Sequence, residues 1–184
     1  MGAHILSGNV FETRAFDELI PDWKEKGAPG VCEAKEDRFF FLTKNNRVRL
    51  PTPPQMHNQG NYIISLANLC RWLAVQAESL GVEIYPGFAG AAFLKNEKGE
   101  VIGIKTGDMG LDKHGKPTNQ YQPGMEIYAT QVLLAEGCRG SLTEEVIETY
   151  QLRDADKPQT YAIGFKEIWQ VDPQKHRPGL IEHS

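Results

Sequence analysis

The sequence predicts an α/β (α+β) fold, in which helices and strands alternate along the chain. A mainly apolar run at 131–134 leads into the turn Ala135-Glu136-Gly137 and directly on to a helix start. Apolar residues at helical spacing fill 65–80, and a β-rich stretch follows at 81–85. A polar turn at 96–100 separates two further β-rich runs. This order is typical of sheets with helices packed on them.

The first 37 residues predict an extended segment, a helix and a loop. The segment 3–10 has the character of a short strand interrupted by Gly8. Apolar residues at 12–20 follow helical spacing, and Pro21 ends that helix because proline has no backbone N–H. The residues from Pro21 to Asp37 are polar and contain glycine and proline, which indicates a loop.

The segment 38–56 has two competing interpretations. It opens with four contiguous apolar residues, Phe39, Phe40, Phe41 and Leu42. The residues alone favour a strand at 39–42 joined by a hairpin to a strand at 47–50. The alternative is an apolar surface patch, because three basic residues that suit an anionic bilayer surface lie close by, namely Lys44, Arg47 and Arg49.

Residues 65–80 form the clearest predicted helix. Ser65 can cap its start, and Gly81 can end it. Its apolar stripe, from which Trp72 is expected to lie apart, consists of Leu66, Leu69, Leu73, Ala77 and Leu80. A strand at 82–85, a hairpin around Gly99, a polar excursion at 107–124 and a strand at 125–134 are predicted to follow.

The turn at 135–137 is the strongest candidate for ligand contact. Ligands in open α/β sheets bind beyond the carboxyl ends of strands, where glycine lets the backbone come close. Ser141 and Glu144 match a capping box, which predicts the helix start. An ordinary glycine turn without a ligand is the competing interpretation. Beyond the helix, the apolar alternation at 161–169 predicts a strand that begins a second sheet.

The composition of the chain argues against several classes of function. The 184 residues carry a net charge of −4 and no basic run, which argues against nucleic-acid binding. The three cysteines lie far apart, which fits a reducing compartment and gives no metal-ligand spacing. No apolar run is long enough to span a bilayer, so membrane contact would come from one face of the protein.

Catalytic motifs are absent from the sequence. The five histidines form no zinc-binding pair, and neither a Gly-x-Ser-x-Gly elbow nor a phosphate-binding loop occurs. The segment Gly87-Phe88-Ala89-Gly90 lacks the third glycine of the dinucleotide fingerprint. We therefore assign no catalytic residue and no metal ligand.

The order helix, Gly-Val-Glu-Ile strand, hairpin and Ala-Glu-Gly turn resembles the second half of a glutathione-reductase-like FAD-binding domain, as in aromatic hydroxylases and geranylgeranyl reductases. Four blocks are more specifically similar to the electron transfer flavoprotein-ubiquinone oxidoreductase family. They lie at 2–8 (Gly-Ala-His-Ile-Leu-Ser-Gly), 21–29 (Pro-Asp-Trp-Lys-Glu-Lys-Gly-Ala-Pro), 60–63 (Gly-Asn-Tyr-Ile) and 158–164 (Pro-Gln-Thr-Tyr-Ala-Ile-Gly).

The resemblance implies a monotopic enzyme that passes electrons from reduced electron transfer flavoprotein to ubiquinone through FAD and a 4Fe-4S cluster. The implied location is the inner mitochondrial membrane, or the cytoplasmic membrane in bacteria. The family's Ala-Glu-Gly turn, which lies against the FAD ribityl and phosphate region, maps onto Ala135, Glu136 and Gly137. Its flavin-facing Leu-Ser-Gly segment maps onto Leu6, Ser7 and Gly8. Its membrane-contacting stretch maps onto the segment that contains 39–42, which favours the apolar-patch interpretation.

The resemblance also implies what this chain lacks. The family's Gly-x-Gly-x-x-Gly turn would precede Gly2, and its cluster cysteines and quinone-contacting glycines would follow Ser184. We therefore expect an internal piece with FAD-domain segments at 1–62 and 63–150 and the start of a ubiquinone domain at 151–184. Alone, it is expected to bind FAD weakly or not at all and to be inactive.

Two alternatives remain open at this stage. One is a geranylgeranyl-reductase-like flavin enzyme without a quinone step. The other is a module without redox chemistry that binds a membrane or a partner.

Overall fold

The structure is a computed structural model that describes residues 1–3, 5, 8–29, 32–154, 157 and 160–184. It divides the chain into two compact units. The first unit combines Met1–Ile84 with Gly164–Ser184, and the second is Tyr85–Ile163.

Short strands and a few helices make up both units. In chain order they are β1 (Asn9–Phe11), α1 (Arg14–Leu19), β2 (Cys32–Glu33), β3 (Glu36–Leu42), β4 (Arg47–Leu50), a 3₁₀ turn (Pro54–Met56), β5 (Tyr62–Ile64), α2 (Leu66–Ser79), β6 (Gly90–Lys95), β7 (Val101–Thr106), β8 (Met109–Leu111), β9 (Pro117–Gln122), β10 (Glu126–Tyr128), α3 (Ser141–Thr149) and β11 (Leu180–His183).

Three of the seven described strand pairs join consecutive strands, and the other four join strands further apart in the chain. In the first unit, β1, β5 and β2 form an antiparallel sheet in that order. A second sheet has the order β11, β3, β4, with β3 and β4 antiparallel and β11 parallel to β3. In the second unit, β10, β7 and β6 form an antiparallel sheet, and β8 pairs with β9. The mixed α and β content agrees with the predicted α+β class.

The core of the first unit is built around Trp23, which is 3% exposed. Its ring lies 5.4 Å from that of Phe16, and its indole N–H donates to a carboxylate oxygen of Asp17 at 2.7 Å. Leu69 and Ile64 complete the buried cluster. The polar composition of 21–37 predicted a loop. Trp23 was not predicted to lie in the core, because a single tryptophan gives no periodic signal.

Helix α2 confirms the predicted helix and both of its ends. The Ser65 hydroxyl accepts from the amide of Asn68. At the other end Gly81 takes a φ of +87°, and the amides of Gly81 and Val82 donate to the carbonyls of Glu78 and Ala77. This pattern is a Schellman C-cap.

The predicted separation of Trp72 from the core was wrong. Its ring lies 5.9 Å from that of Phe16, and its indole N–H donates to the Lys26 carbonyl at 3.2 Å. A tryptophan beside a helical stripe is long enough to reach a neighbouring segment, and here it packs against the core cluster.

The sequence correctly predicted the positions of two hairpins. The turn at 96–100 joins β6 to β7, with Gly99 at a φ of +80°. The interpretation of 39–50 as a hairpin is confirmed by β3 and β4. The polar segment 107–124 also contains the hairpin β8–β9, which was missed because its residues lack apolar alternation.

The strand predicted at 82–85, the second half of the strand predicted at 125–134 and the strand predicted at 161–169 are absent from the described structure. Apolar side chains in the last two lie in solvent, with Leu133 88% exposed and Phe165 95% exposed. The strand predicted at 125–134 ends at Tyr128 as β10. A strand needs hydrogen-bond partners on an adjacent strand. No described segment pairs with these three stretches.

Asp37 joins β3 to two distant parts of the first unit. Its carboxylate accepts from the Asn58 amide and from Asn58 Nδ2, both at 2.7 Å, and lies 3.0 Å from His183 Nε2. The Asp37 side chain is only 6% exposed. Burial raises the pKa of Asp37, but the hydrogen bonds from Asn58 and the contact with His183 outweigh it, so the net pKa is lowered.

We predict that Asp37→Ala lowers the free energy of unfolding by about 2 kcal/mol at pH 7, because buried donors on Asn58 lose a charged acceptor. Urea unfolding measures this change. Because the folded pKa is depressed, the stabilisation is present above the unfolded value of about 4 and is lost as the pH falls through the folded pKa. The difference between wild type and variant should therefore shrink in acid.

The matched control is Asp22→Ala, which removes an exposed carboxylate paired with Lys26 at 3.0 Å and should change stability little. Equal destabilisation by the two substitutions would contradict the role assigned to Asp37.

Candidate functional site

The turn before α3 is held by the carboxylate of Glu136. One of its oxygens accepts from the Thr143 amide at 2.7 Å and from the Thr143 hydroxyl at 2.8 Å, and the other accepts from the Leu142 amide at 3.4 Å. These amides belong to the first turn of α3, where backbone donors lack partners within the helix. Glu136 therefore caps the helix from outside it.

The predicted capping box of Ser141 and Glu144 was wrong. The N-cap position is Gly140, and Ser141 is the first helical residue. The anion for the helix start comes instead from Glu136, earlier in the turn. Sequence spacing could not reveal this, because the chain reverses between Glu136 and Gly140.

Two glycines make this geometry possible. A Cβ added at Gly140 would clash with the Glu136 side chain. Gly137 takes a φ of +82°, which disfavours other residues, and no described atom lies within 4 Å of a Cβ built there. The backbone at Gly137 is therefore open to close approach.

The electrostatics of the turn favour a hydroxyl ligand over a phosphate. Hydrogen bonds from the Thr143 side chain, and then from the Thr143 and Leu142 amides, hold the pKa of Glu136 below its ordinary value. An ionised carboxylate at the start of α3 already balances the helix dipole and repels a second anion. It offers about four lone-pair sites and uses three of them here. The turn can thus accept a hydrogen bond from a hydroxyl group and disfavours an anionic group.

Gly8 lies in the first unit, whereas Ala135, Glu136 and Gly137 lie in the second. Leu6 and Ser7, the other predicted flavin-facing residues, lie outside the described residues. Gly8 has a φ of +83°, and its carbonyl accepts from Lys166 Nζ at 2.7 Å. Gly8 and Lys166 both line a groove of about 410 Å³. Its other lining residues are Asn9, Val10, Ile63, Leu180 and Ile181. Sequence reasoning missed Lys166, because its stretch was predicted to be a strand.

The hairpin β3–β4 has two different faces. Directly paired residues share a face, and successive residues alternate between faces. One face carries the pairs Phe39 with Leu50 and Phe41 with Val48, so it is apolar. Phe41 is 61% exposed and Val48 52%.

The opposite face pairs Phe40 with Arg49 and Leu42 with Arg47. Phe40 is buried, and the Arg47 guanidinium lies 4.6 Å above its ring. Leu42 is 56% exposed. Of the four residues assigned to membrane contact, Phe41 and Leu42 present apolar surface freely, Phe39 is half-buried and Phe40 is covered.

Within the described ranges, His, Cys, Asp and Glu side chains do not gather in groups of three or more that could hold a metal ion. Among the same residues, no helix combines the length and the apolar character needed to cross a bilayer.

Comparison with known proteins gives close relatives over the full length of this chain. The chain is 54% identical over 184 residues to a protein of Dictyostelium discoideum named electron transfer flavoprotein-ubiquinone oxidoreductase, mitochondrial, and it covers 30% of that protein. It is 53% identical to the Pseudomonas aeruginosa electron transfer flavoprotein-ubiquinone oxidoreductase, of which it covers 34%. The Sus scrofa protein, also named mitochondrial, is 46% identical, with 30% covered.

The chain therefore matches a fragment of these oxidoreductases and spans about a third of their length. No protein-family model matches it. Because these relatives carry one name from amoeba, bacterium and mammal, neither the geranylgeranyl-reductase-like alternative nor the non-catalytic module is favoured.

We predict that Glu136→Gln weakens hydrogen-exchange protection of the Leu142 and Thr143 amides, because a neutral amide is a poorer acceptor than a carboxylate at a helix start. In the wild type, the Thr143 amide shift should titrate with a midpoint below the ordinary glutamate pKa of about 4.3. The contact is complete above that pH and is lost as the pH falls through the lower folded pKa. NMR spectroscopy measures both effects.

Glu145→Gln, an exposed change in the same helix, is the control and should leave both amides protected. Unchanged protection in Glu136→Gln would rule out the cap.

Proposed function

We propose that this chain is an internal part of a membrane-surface flavoprotein oxidoreductase that passes electrons from reduced electron transfer flavoprotein to ubiquinone. The observation that carries the proposal is the match of the entire chain, at 46–54% identity, to fragments of proteins with this name. By itself the fragment is proposed to be inactive. In the complete protein, two electrons from the donor and two protons would convert ubiquinone to ubiquinol.

Part of the FAD site is proposed to lie at the turn Ala135-Glu136-Gly137. FAD supplies the electron-accepting and electron-donating chemistry when it is bound. The open backbone at Gly137 allows close approach. The remaining lone pair on Glu136 can accept from a ribityl hydroxyl, while its charge directs phosphate elsewhere. Leu6, Ser7 and Gly8 are proposed to lie near the flavin, and the 4Fe-4S cluster is assigned to other parts of the complete protein.

The apolar face of β3–β4 is proposed to contact the membrane surface from one side. Phe39, Phe41, Val48 and Leu50 form it, and Arg47 and Arg49 lie on the opposite face of the same hairpin. This combination suits the boundary between headgroups and acyl chains, where apolar side chains are buried and cations meet anionic lipid. The membrane would be the inner mitochondrial membrane, or the cytoplasmic membrane in a bacterium.

Sequencing the transcript on both sides of this segment tests the assignment of the complete protein. A Gly-x-Gly-x-x-Gly turn after an upstream strand and four downstream cysteines at cluster spacing are expected. Upstream glycines without the cysteines would indicate a simpler flavoprotein, and the quinone step would then be withdrawn.

We predict that Gly137→Val in the complete protein lowers FAD affinity by about tenfold, since a β-branched residue at positive φ costs about 1–2 kcal/mol and would fill the approach path. The ratio of flavin to protein absorbance during dialysis measures occupancy. Gly115→Val is the matched control, because Gly115 also has a positive φ and open surroundings but lies in the β8–β9 turn. Equal occupancy in the two variants would refute the contact.

We predict that Phe41→Ser with Val48→Ser lowers vesicle binding of the chain by about tenfold or more, because each inserted apolar side chain contributes about 1.5–3 kcal/mol. Sedimentation with phosphatidylcholine vesicles measures it. The control pair, Val82→Ser with Leu152→Ser, removes apolar side chains that are 51% and 63% exposed elsewhere. Unchanged sedimentation of the hairpin variant would remove the membrane role from this face.

A further inference from the structure

A cationic cavity lies beside the hairpin, in the first unit. It measures about 380 Å³ and is lined by Arg38, Arg47, Lys175, Arg177 and Glu182, together with Gln174 and Leu180. Four of these side chains are cations and one is a carboxylate. The sequence analysis did not identify it, because its basic residues come from β3, β4 and the turn before β11.

Two of the cations are held in place by carboxylates. Arg38, whose side chain is 18% exposed, donates from Nε and Nη2 to the two Glu36 oxygens at 2.7 and 2.8 Å. Arg47 packs over the Phe40 ring and lies 3.3 Å from Glu182. Their positive charges are therefore matched by Glu36 and Glu182.

The other two cations form no close ion pair, although the charge of Arg177 contributes to lowering the pKa of Glu36. In the part of the chain that the structure describes, no carboxylate lies within 4.0 Å of the charged nitrogens of Lys175 or Arg177. Both residues are exposed. The turn that carries them is fixed by the amides of Lys175 and His176, which donate to the Asp172 carbonyl at 2.9 and 3.1 Å. The cavity thus has an excess of positive charge, and two of its four cations lie on an ordered turn.

The position of the cavity indicates where its anion comes from. Arg47 lines the cavity and pairs directly with Leu42, which is 56% exposed at the end of β3. The neighbouring pair, Phe41 with Val48, belongs to the exposed apolar face, on the opposite side of the hairpin. When the apolar face inserts at the acyl boundary, the cations of the opposite face lie one side-chain layer further out, in the layer of the headgroup phosphates.

We propose that this cavity binds the phosphate of an anionic phospholipid headgroup. Guanidinium forks match the tetrahedral oxygens of a phosphate with paired hydrogen bonds, and a lysine adds a mobile point charge. The inference deepens the proposed function and rests on its membrane-surface part. Arg38 and Arg47, whose nitrogens already bind Glu36 and Glu182, form the rigid side of the site. Lys175 and Arg177, which have no ion pair within 4.0 Å among the described residues, supply the charge that meets the phosphate.

The test uses a double variant of the chain that carries both Lys175→Gln and Arg177→Gln. Its sedimentation with three kinds of vesicle is compared with that of the wild type. These are phosphatidylcholine alone, phosphatidylcholine with phosphatidylglycerol, and phosphatidylcholine with oleate at the same surface charge. The double variant should lose about tenfold or more in binding to phosphatidylglycerol vesicles, since each basic residue near an anionic surface contributes about fivefold. It should lose less on oleate vesicles and nothing on neutral ones.

The control is Lys113→Gln with Lys116→Gln, which removes the same charge from the β8–β9 turn of the other unit. A loss no larger than in the control, or an equal loss on oleate vesicles, would overturn the headgroup site. Binding of glycerol 3-phosphate to the wild-type chain as tightly as to vesicles would also overturn it, in favour of a soluble phosphate ester.

The hairpin variant Phe41→Ser with Val48→Ser separates this inference from the proposed membrane role. If that variant binds all vesicles normally while the double cation variant does not, the headgroup site stands and the apolar contact falls. If wild type binds none of the three vesicles, both fall. Circular dichroism of each variant establishes that it is folded.

Discussion

The need of every strand backbone for a hydrogen-bonding neighbour is the constraint on which this structure depends. Where a partner lies a few residues away, the strand forms, as in β3 with β4 and β6 with β7. Where none is present among the described residues, equally apolar stretches stay irregular, and Phe165 and Leu133 remain in solvent. Apolar character alone therefore does not make a strand. A chain that matches about a third of its relatives is expected to contain such unpaired stretches.

Elements whose sequence signals lie within a few residues of one another could be predicted, and pairings between distant residues could not. Helix α2 was found with both ends, because Ser65 and Gly81 act within one turn of the backbone. The turn at Gly99 is equally local. The pairing of β11 with β3 joins residues far apart in sequence, and no short pattern announces it. Trp23 was missed although its partners Asp17 and Phe16 are near it in sequence, because a single tryptophan gives no periodic signal.

The interactions of the candidate turn were not predicted from the sequence. Resemblance pointed to Glu136 as a contact of the cofactor, which stays a prediction, and the structure shows that its carboxylate caps the start of α3. The block at 21–29 carries part of the family resemblance, yet Trp23 and Lys24 in it contribute to packing. Trp23 is buried, and Lys24 donates to the Tyr62 hydroxyl at 2.7 Å. Sequence similarity thus points to the scaffold that places a site as much as to the chemistry. The two faces of the hairpin were not predicted from the alternation of side chains along each strand. Four contiguous apolar residues at 39–42 hide that alternation in the sequence.

Arg47 shows why the two faces of the hairpin act together. Its guanidinium covers Phe40, which would otherwise add a further ring to the exposed surface, and it lies 3.3 Å from Glu182 on β11. The same residue pairs with Leu42 beside the apolar face. One side chain therefore keeps apolar surface on one side and charge on the other. Because β4 and β11 both flank β3, a surface that binds the apolar face also sets the distance of the cations from it. Under the proposed membrane contact, affinity for a charged interface would depend on the pairing of three strands and not on the hairpin alone.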